Sequence, residues 1–500
     1  MKQFCITLAF ILSGSAPSFL QAATCTELAT LALPNARIDL AESVPAGDFS
    51  FDVNRPGTSQ QNHRNLPAFC RVAATLTPTS DSEIKIEVWL PEDWNGKLLA
   101  VGNGRWAGSI SFGAMANGLR KGYAATSTDT GHAAHSLDGS WSYGEPEKVI
   151  DFGWRSEHEM TVKAKAIIEA FYGEGPRFSY WSGCSTGGRQ GLMMATRFPD
   201  HFDGIVAGTP SNPRANRNGW QLWATIMTRN GLLTTEELEF VHHAAIKACD
   251  MNDGLKDGLI DDPTICEFDP QTLHCQAGQT GNCLTQEQVN SVKVMYSPGR
   301  FSDGEIYHPG LEPGSELGWE DFVSPEPLLQ AAVNYRYLVH NNPDWDWRTF
   351  NADNDVPLAI ESDGDTIDVI TTDYSEFVAS RGKMIIYHGW SDHSVAPQRT
   401  VDYFNKVLET TPDADENMRL FMVPMMGHCG GGDGPNEFDM VSALDAWVDG
   451  GKAPTRVVAS RRDESGQVVR TRPLCVYPQV ARYQGSGSID DEANFACVTP

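Results

Sequence analysis

Positive charge is scarce in this sequence: 38 Lys and Arg stand against 65 Asp and Glu, a formal charge of −27 over 500 residues. So acidic a surface repels nucleic acid and anionic membranes, so neither is expected as a partner. Long apolar runs are missing too. Beyond the N-terminus no stretch supplies the roughly 18 consecutive apolar residues that a spanning helix needs. There is no internal repeat and no low-complexity tract. With 41% hydrophobic and 21% charged residues, the rest is ordinary globular material. It suffices for one large domain with an insertion, or for about two to three domains.

Met1-Lys2-Gln3, an apolar stretch over 4–12 and Leu20-Gln21-Ala22-Ala23 have the layout of a secretory signal peptide. Residues 1–23 are expected to be removed, leaving a secreted or periplasmic protein. A lipid anchor at Cys25 is disfavoured, because Thr24 stands where a small residue is usual. Of the 11 cysteines, Cys5 falls in this leader, which leaves an even set for disulfides in an oxidising compartment.

Ile84, Ile86, Val88 and Leu90 alternate with other residues and predict a half-buried strand, whereas 97–101 and 122–126 read as strands buried on both faces. Ser156 and Glu159 have capping-box spacing ahead of Met160, Ala164, Ile167, Ile168 and Phe171, which predicts a helix. A strand over 178–182, a helix over 187–198 and a strand over 204–208 follow. This alternation implies a parallel, doubly wound sheet. From 212 to 371 the rhythm fades, Trp, Asn, Pro and acidic residues become frequent, and four cysteines cluster. That segment is expected to be a lid domain inserted between 24–211 and 372–500. The rhythm resumes with a strand over 383–387, a helix over 397–408 and a strand over 419–423.

Gly183-Cys184-Ser185-Thr186-Gly187 matches G-x-S-x-G between a predicted strand and a predicted helix, the context of a nucleophile elbow. The turn is so sharp that neighbouring backbones come too close for side chains at the glycine positions. A serine hydroxyl needs a base to take its proton, and the base needs an acid to hold its tautomer. In an α/β-hydrolase these follow later strands in the order Ser, acid, His. Asp392 follows the strand 383–387 and His428 follows 419–423, so their loops should emerge side by side. His388 and His393 lie in the acid loop, before the second strand, and are read as pocket wall or plain structure. The expected fold is an α/β-hydrolase: a doubly wound, mostly parallel sheet with a large inserted lid.

An oxyanion hole requires two aimed N–H groups. Thr186 supplies one, and the loop Gly102-Asn103-Gly104-Arg105 offers Gly104 or Arg105 as the other. Cys184 precedes the proposed nucleophile and Cys429 follows the proposed base. If Ser185 and His428 are hydrogen-bonded, these two cysteines must be close, and a bond between them would hold serine and imidazole in register.

Asp250-Met-Asn-Asp253-Gly-Leu255-Lys-Asp257-Gly-Leu259-Ile-Asp261-Asp262 crowds carboxylates that repel each other without a cation. Oxygen ligands with glycines for tight turns suit Ca²⁺. The spacing is not that of an EF-hand. Side chains of Asp250, Asp253 and Asp257 with the carbonyls of Leu255 and Leu259 form the candidate site for a structural ion.

Gly183-Cys-Ser-Thr-Gly-Gly-Arg-Gln190, His388-Gly-Trp-Ser-Asp392 and Gly427-His-Cys-Gly-Gly431, with the acidic loop, resemble the tannase and feruloyl esterase family over most of the mature chain. The resemblance implies hydrolysis of aromatic-acid esters, such as gallates, feruloyl esters of plant polysaccharide or chlorogenate, or in one branch the monoester of terephthalate. It implies Ser185, Asp392 and His428 as the triad, Cys184–Cys429 beside it, and calcium at Asp250, Asp253, Leu255, Asp257 and Leu259. The other pairs it implies are Cys25–Cys70, Cys249–Cys266, Cys275–Cys283 and Cys475–Cys497. Relatives often carry Gly-Asn-Gly-Gly where this chain has Gly102-Asn-Gly-Arg105, so an arginine crowds or charges the pocket. Trp345, Trp347, Arg348 and Phe350 stand in the lid as pocket wall or as lid core.

The sequence thus points to a secreted serine esterase that works through an acyl-enzyme on a small aromatic ester, free or attached to plant polysaccharide or tannin. An aromatic dicarboxylate monoester hydrolase is the alternative within that class. From other classes, the alternatives are a peptidase and an inactive calcium-dependent binding protein.

Overall fold

In the computed structural model, which describes residues 22–49, 65–279 and 281–500, the chain lays down seven strands before its large insertion. They are β1 (Ala36–Val44), β2 (Phe69–Leu76), β3 (Ile84–Pro91), β4 (Lys97–Val101), β5 (Ala124–Thr128), β6 (Phe178–Cys184) and β7 (Gly204–Gly208). The leader expected over 1–23 lies outside the described residues except for its last two positions. Within the insertion, β8 (Gly299–Arg300) and β9 (Ile306–His308) pair only with each other. After it come β10 (Lys383–Gly389) and β11 (Met418–Val423).

Nine strands form one sheet in the order β1-β2-β3-β5-β4-β6-β7-β10-β11. The β1/β2, β2/β3 and β3/β5 pairs are antiparallel, and every pair from β5/β4 to β10/β11 is parallel. Parallel strands need covered faces, because their crossovers place helices on both sides. β4 shows the consequence. Leu98 and Ala100 face one buried cluster with Ile167, Leu192 and Phe404, while Leu99 and Val101 face a second with Met115, Leu444 and Trp447. The doubly wound α/β-hydrolase arrangement expected from the strand and helix rhythm is the one observed.

Two local expectations fail. β3 is buried on both faces, not one. Trp89 is fully buried among Phe49, Phe69 and Phe112, and Glu87 is paired with Arg71 at 2.6 Å. An aromatic cluster and an ion pair thus bury the face that alternation assigned to solvent. The helix Ser156–Tyr172 does not start at a Ser156 cap either. It continues from a π-helical turn, Asp151–Arg155, and the Ser156 hydroxyl donates to the Asp151 carbonyl at 2.7 Å.

Between β7 and β10 the chain adds no strand to the main sheet. Instead the helices Arg214–Thr228, Thr235–Cys249, Gln286–Tyr296 and Ala352–Ile367 enclose their own apolar clusters, one around Trp220, Trp319 and Phe322 and one around Tyr335 and Trp347. The two ends of this insertion, expected to be a lid, are tied together. The Asn212 amide donates to the Val369 carbonyl and accepts from the Val369 N–H, both at 2.8 Å, and Asp368 caps the N–H groups of Arg214 and Ala215. Among the described residues, no helix is long and apolar enough to cross a membrane.

Candidate active site

Ser185 sits between β6 and the helix Thr186–Arg197 at φ 62°, ψ −118°. This is a left-handed region that a non-glycine residue occupies at a cost. The elbow is held from both sides. Ser185 N–H donates to the Gly208 carbonyl at 3.0 Å, and the Ser185 carbonyl accepts from Ser211 N–H at 3.1 Å. A side chain at Gly102 would put its Cβ 2.6 Å from the Gly187 Cα, so only glycine lets the loop after β4 reach the elbow.

That loop is fixed from behind. Asn103 N–H donates to Gln190 Oε1 at 3.0 Å, and the Asn103 amide donates to the carbonyls of Thr128 and Ser109. Gln190 in turn donates to Glu157, which is fully buried. Burial, more than any partner, pushes the Glu157 carboxyl up to about 7. The Thr186 hydroxyl donates to the Arg105 carbonyl at 2.7 Å and fastens the loop to the elbow. Asn103 N–H is therefore engaged, while the N–H groups of Gly104, Arg105 and Thr186 meet no acceptor among the described residues. Arg105 itself adopts φ 53° and its side chain is exposed.

β10 and β11 are parallel neighbours with Gly389 opposite Val423, so the loops that follow them leave the same edge of the sheet. Trp390 N–H donates to the Val423 carbonyl at 2.9 Å and Ser391 N–H to the Met426 carbonyl at 3.0 Å, which zips the two loops together. The result is one hydrogen-bonded chain. His428 Nε2 lies 2.9 Å from Ser185 Oγ, and His428 Nδ1 lies 2.8 Å from Asp392 Oδ2. With Nδ1–H donated to the carboxylate, Nε2 is free to accept the serine proton. Cys184 and Cys429 are bonded, with Cα atoms 6.0 Å apart. The other four disulfides, Cys25–Cys70, Cys249–Cys266, Cys275–Cys283 and Cys475–Cys497, are those the resemblance implied.

Asp392 is fully buried, and its Oδ1 accepts the N–H groups of Ser394 and Val395 at 2.8 and 2.9 Å. Burial works to raise its pKa. The charge of His428 and hydrogen bonds from His388 and His428 outweigh it and hold the carboxyl far below its ordinary range. The contact from His388 was not anticipated. β10 runs on through Gly389, so His388 belongs to the strand and its buried ring turns to Asp392; of the two expected readings, pocket wall or plain structure, the first fails. The four-residue spacing to Asp392 was its only trace in the sequence. His393 differs, its ring lying against Gly318 of the lid and 6.3 Å from the ring of Phe322.

A second unanticipated contact joins the lid to the His428 loop. His242, on the helix Thr235–Cys249, is bonded through Nε2 to Asp433 at 2.8 Å and through Nδ1 to buried Glu316 at 2.7 Å. Burial opposes a charge on this ring, but hydrogen bonds to Asp433 and Glu316 prevail and raise it to about 9. Trp345, Trp347 and Phe350 pack into the lid's own core around Tyr335, and Arg348 pairs with Asp346 and Glu326 on the surface.

The five predicted calcium ligands share one loop. Asp250 Oδ1 accepts the N–H groups of Asp257 and Gly258 at 3.0 Å, and Asp253 Oδ1 accepts that of Leu255 at 2.8 Å. Asp257 also takes the guanidinium of Arg472. Among the described residues, no three acidic, His or Cys side chains converge on one point as they stand. The donor set is nevertheless one that fits a hard cation. The carbonyls of Leu255 and Leu259 receive no hydrogen bond from described residues, and burial together with the charge of Asp253 pushes the Asp261 carboxyl up from its ordinary range.

A family model described as "Tannase and feruloyl esterase" matches residues 70–498. The chain belongs to the tannase and feruloyl esterase family. As a member, it is a carboxylic ester hydrolase. An uncharacterized esterase of Xanthomonas campestris pv. campestris is 34% identical, covering 95% of this chain and 91% of that protein. A probable feruloyl esterase B of Aspergillus clavatus is 32% identical over 93% of both. The crystal structure of feruloyl esterase B from Aspergillus oryzae superposes with a TM-score of 0.89 at 33% identity, covering 95% of this chain and 99% of that one. The tannin acyl hydrolase from Aspergillus niger shares the fold, with a TM-score of 0.76 at 21% identity over 94% of this chain and 92% of that one.

Proposed function

We propose that this esterase cleaves esters of aromatic acids of the feruloyl or galloyl type through an acyl-enzyme on Ser185. The observation that carries the reading is the chain Asp392–His428–Ser185, with its 2.8 and 2.9 Å links on a sharp elbow. Ser185 Oγ attacks the ester carbonyl carbon while His428 Nε2 takes the hydroxyl proton. The carbonyl oxygen becomes an oxyanion, for which Thr186 N–H and the N–H of Gly104 or Arg105 are the donors left uncommitted by the protein. Collapse expels the alcohol, which receives the proton from His428. Water then attacks the acyl carbon with His428 again as base, releasing the acid and restoring Ser185. Asp392 holds the imidazole tautomer throughout.

The relatives named feruloyl esterase B support the aromatic-acid class. The proposed substrate is a small ester of such an acid, its alcohol part free or belonging to plant polysaccharide or tannin. Five disulfides among the described residues support a secreted or periplasmic setting. Asp250, Asp253 and Asp257 with the carbonyls of Leu255 and Leu259 would hold Ca²⁺. The ion would neutralise a crowded loop that Arg470, Arg472 and Arg482 tie to the C-terminal strands, and it takes no chemical step.

A fluorophosphonate should label the protein and should fail on Ser185→Ala. Turnover of methyl ferulate, methyl gallate, chlorogenate and the terephthalate monoester then ranks the substrates. An unlabelled folded protein would favour a binding role, and preference for the terephthalate monoester would move the enzyme to that branch.

A further inference from the structure

His388 is the penultimate residue of β10, four residues ahead of Asp392, and its ring is fully buried. Its Nε2 lies 3.1 Å from Asp392 Oδ2 and 3.0 Å from the Val395 carbonyl. Both partners are acceptors, so Nε2 carries the ring proton. The Thr400 hydroxyl lies 2.8 Å from Nδ1, in the first turn of the helix Pro397–Thr410, and can donate to it. Neutral imidazole satisfies all three contacts with a single tautomer.

Oδ2 of Asp392 therefore receives two ring N–H groups, from His388 and from His428, while Oδ1 is occupied by two backbone N–H groups. The main-chain donors alone would let the carboxylate pivot about Oδ1. The rigid ring of His388, wedged between a strand and a helix, removes that freedom. It also draws electron density from the oxygen on which His428 depends.

We propose that His388 is a positioning residue for ester hydrolysis. It fixes the rotamer of Asp392 and tempers the pull of Oδ2 on His428, so that His428 is oriented yet still releases its proton to the leaving alcohol. The groups that share this field are Asp392, the Thr400 hydroxyl and the Val395 carbonyl in contact. Beyond them, His428, Arg217 and His393 feel the charge of Asp392. A carboxylate relieved of one donor concentrates its charge on His428 and keeps a proton there up to higher pH. The acid limb of kcat/KM must then shift upward when His388 is lost.

The inference rests on Ser185 being the nucleophile, so all rates are taken per site labelled by a fluorophosphonate. If the unsubstituted protein does not label, the esterase reading fails before this one is reached. His388→Leu is expected to lower kcat by about 10-fold to 100-fold, the range by which loss of an outer hydrogen-bond partner lowers activity at metal sites. KM should stay nearly unchanged and the acid limb should move to higher pH. His388→Gln offers an amide N–H near the Nε2 position and should recover most of the rate and return the limb. If His388→Leu loses thermal stability but keeps its kcat per labelled site and its pH profile, the ring is only a brace and the proposal is overturned. Where His388→Leu yields no labelled protein, Thr400→Val is read in its place. A reduced kcat with a shifted limb supports the proposal, and an unchanged pair overturns it.

Discussion

His242 on the helix Thr235–Cys249 and Asp433, five residues past His428, are joined at 2.8 Å, so the insertion between β7 and β10 grips the segment that follows His428. The His242 ring is raised from 6.5 to about 9, so the grip contributes its full stability below pH 6.5 and loses it as pH rises through 9. The Tm of the unsubstituted protein should decline across that window, and that of His242→Gln should decline less. His242→Leu should cost about 3 kcal/mol at neutral pH, since buried Glu316 loses a charged partner and, among the described residues, keeps the Tyr296 hydroxyl and Gly314 N–H as donors. Equal slopes of Tm against pH for protein and Gln variant would rule this out.

Glu157 behaves in the opposite sense to an ion-paired carboxylate. Its carboxyl is raised from 4.5 to about 7, so folding favours the protonated form and stability is lost as pH climbs from 4.5 through 7. Glu157→Gln keeps an acceptor for Gln190 and carries no charge. Denaturant unfolding should find it more stable than the parent by on the order of 1–3 kcal/mol above pH 7, with the gain vanishing near pH 4.5. A gain independent of pH would mean that burial of the charge is not the cause.

Removal of Ca²⁺ should separate stability from chemistry. An ion bound only by the folded chain stabilises it by about 2.7 kcal/mol at 100 times its Kd. Excess chelator should therefore lower Tm, added Ca²⁺ should restore it, and turnover at low temperature should change little while the protein stays folded. The same Tm with and without chelator, at full activity, would remove calcium from this loop.

Chain order singled out Ser185, Asp392 and His428, which the fold joins by hydrogen bonds, because an elbow, two later strands and their following loops are all local patterns. What stayed hidden was whatever depends on a partner far away in sequence. Alternation in β3 predicted one wet face, but Phe49, Phe69 and Phe112 come from other segments to cover Trp89. Ser156 and Glu159 had the spacing of a cap, yet a π-helical turn ahead of them carries the helix further back. His388 lay in view beside Asp392. Only the length of β10 and the position of Thr400 decide that its ring turns inward to the carboxylate. The lid's tryptophans illustrate the same limit, since composition marks them as important without saying whether they face a substrate or each other.

The link between Cys184 and Cys429 spans 245 positions, and the whole lid lies within that interval. Backbone and sulfur bridge together form a closed ring that runs from the elbow out through the lid and back to the loop of His428. A single protease cut anywhere in the lid opens the ring without dividing the molecule. The fragment with Ser185 and the fragment with His428 remain one covalent body until a reductant reaches the bridge. A nick at any position from 185 to 428 therefore leaves both flanks covalently joined through Cys184 and Cys429.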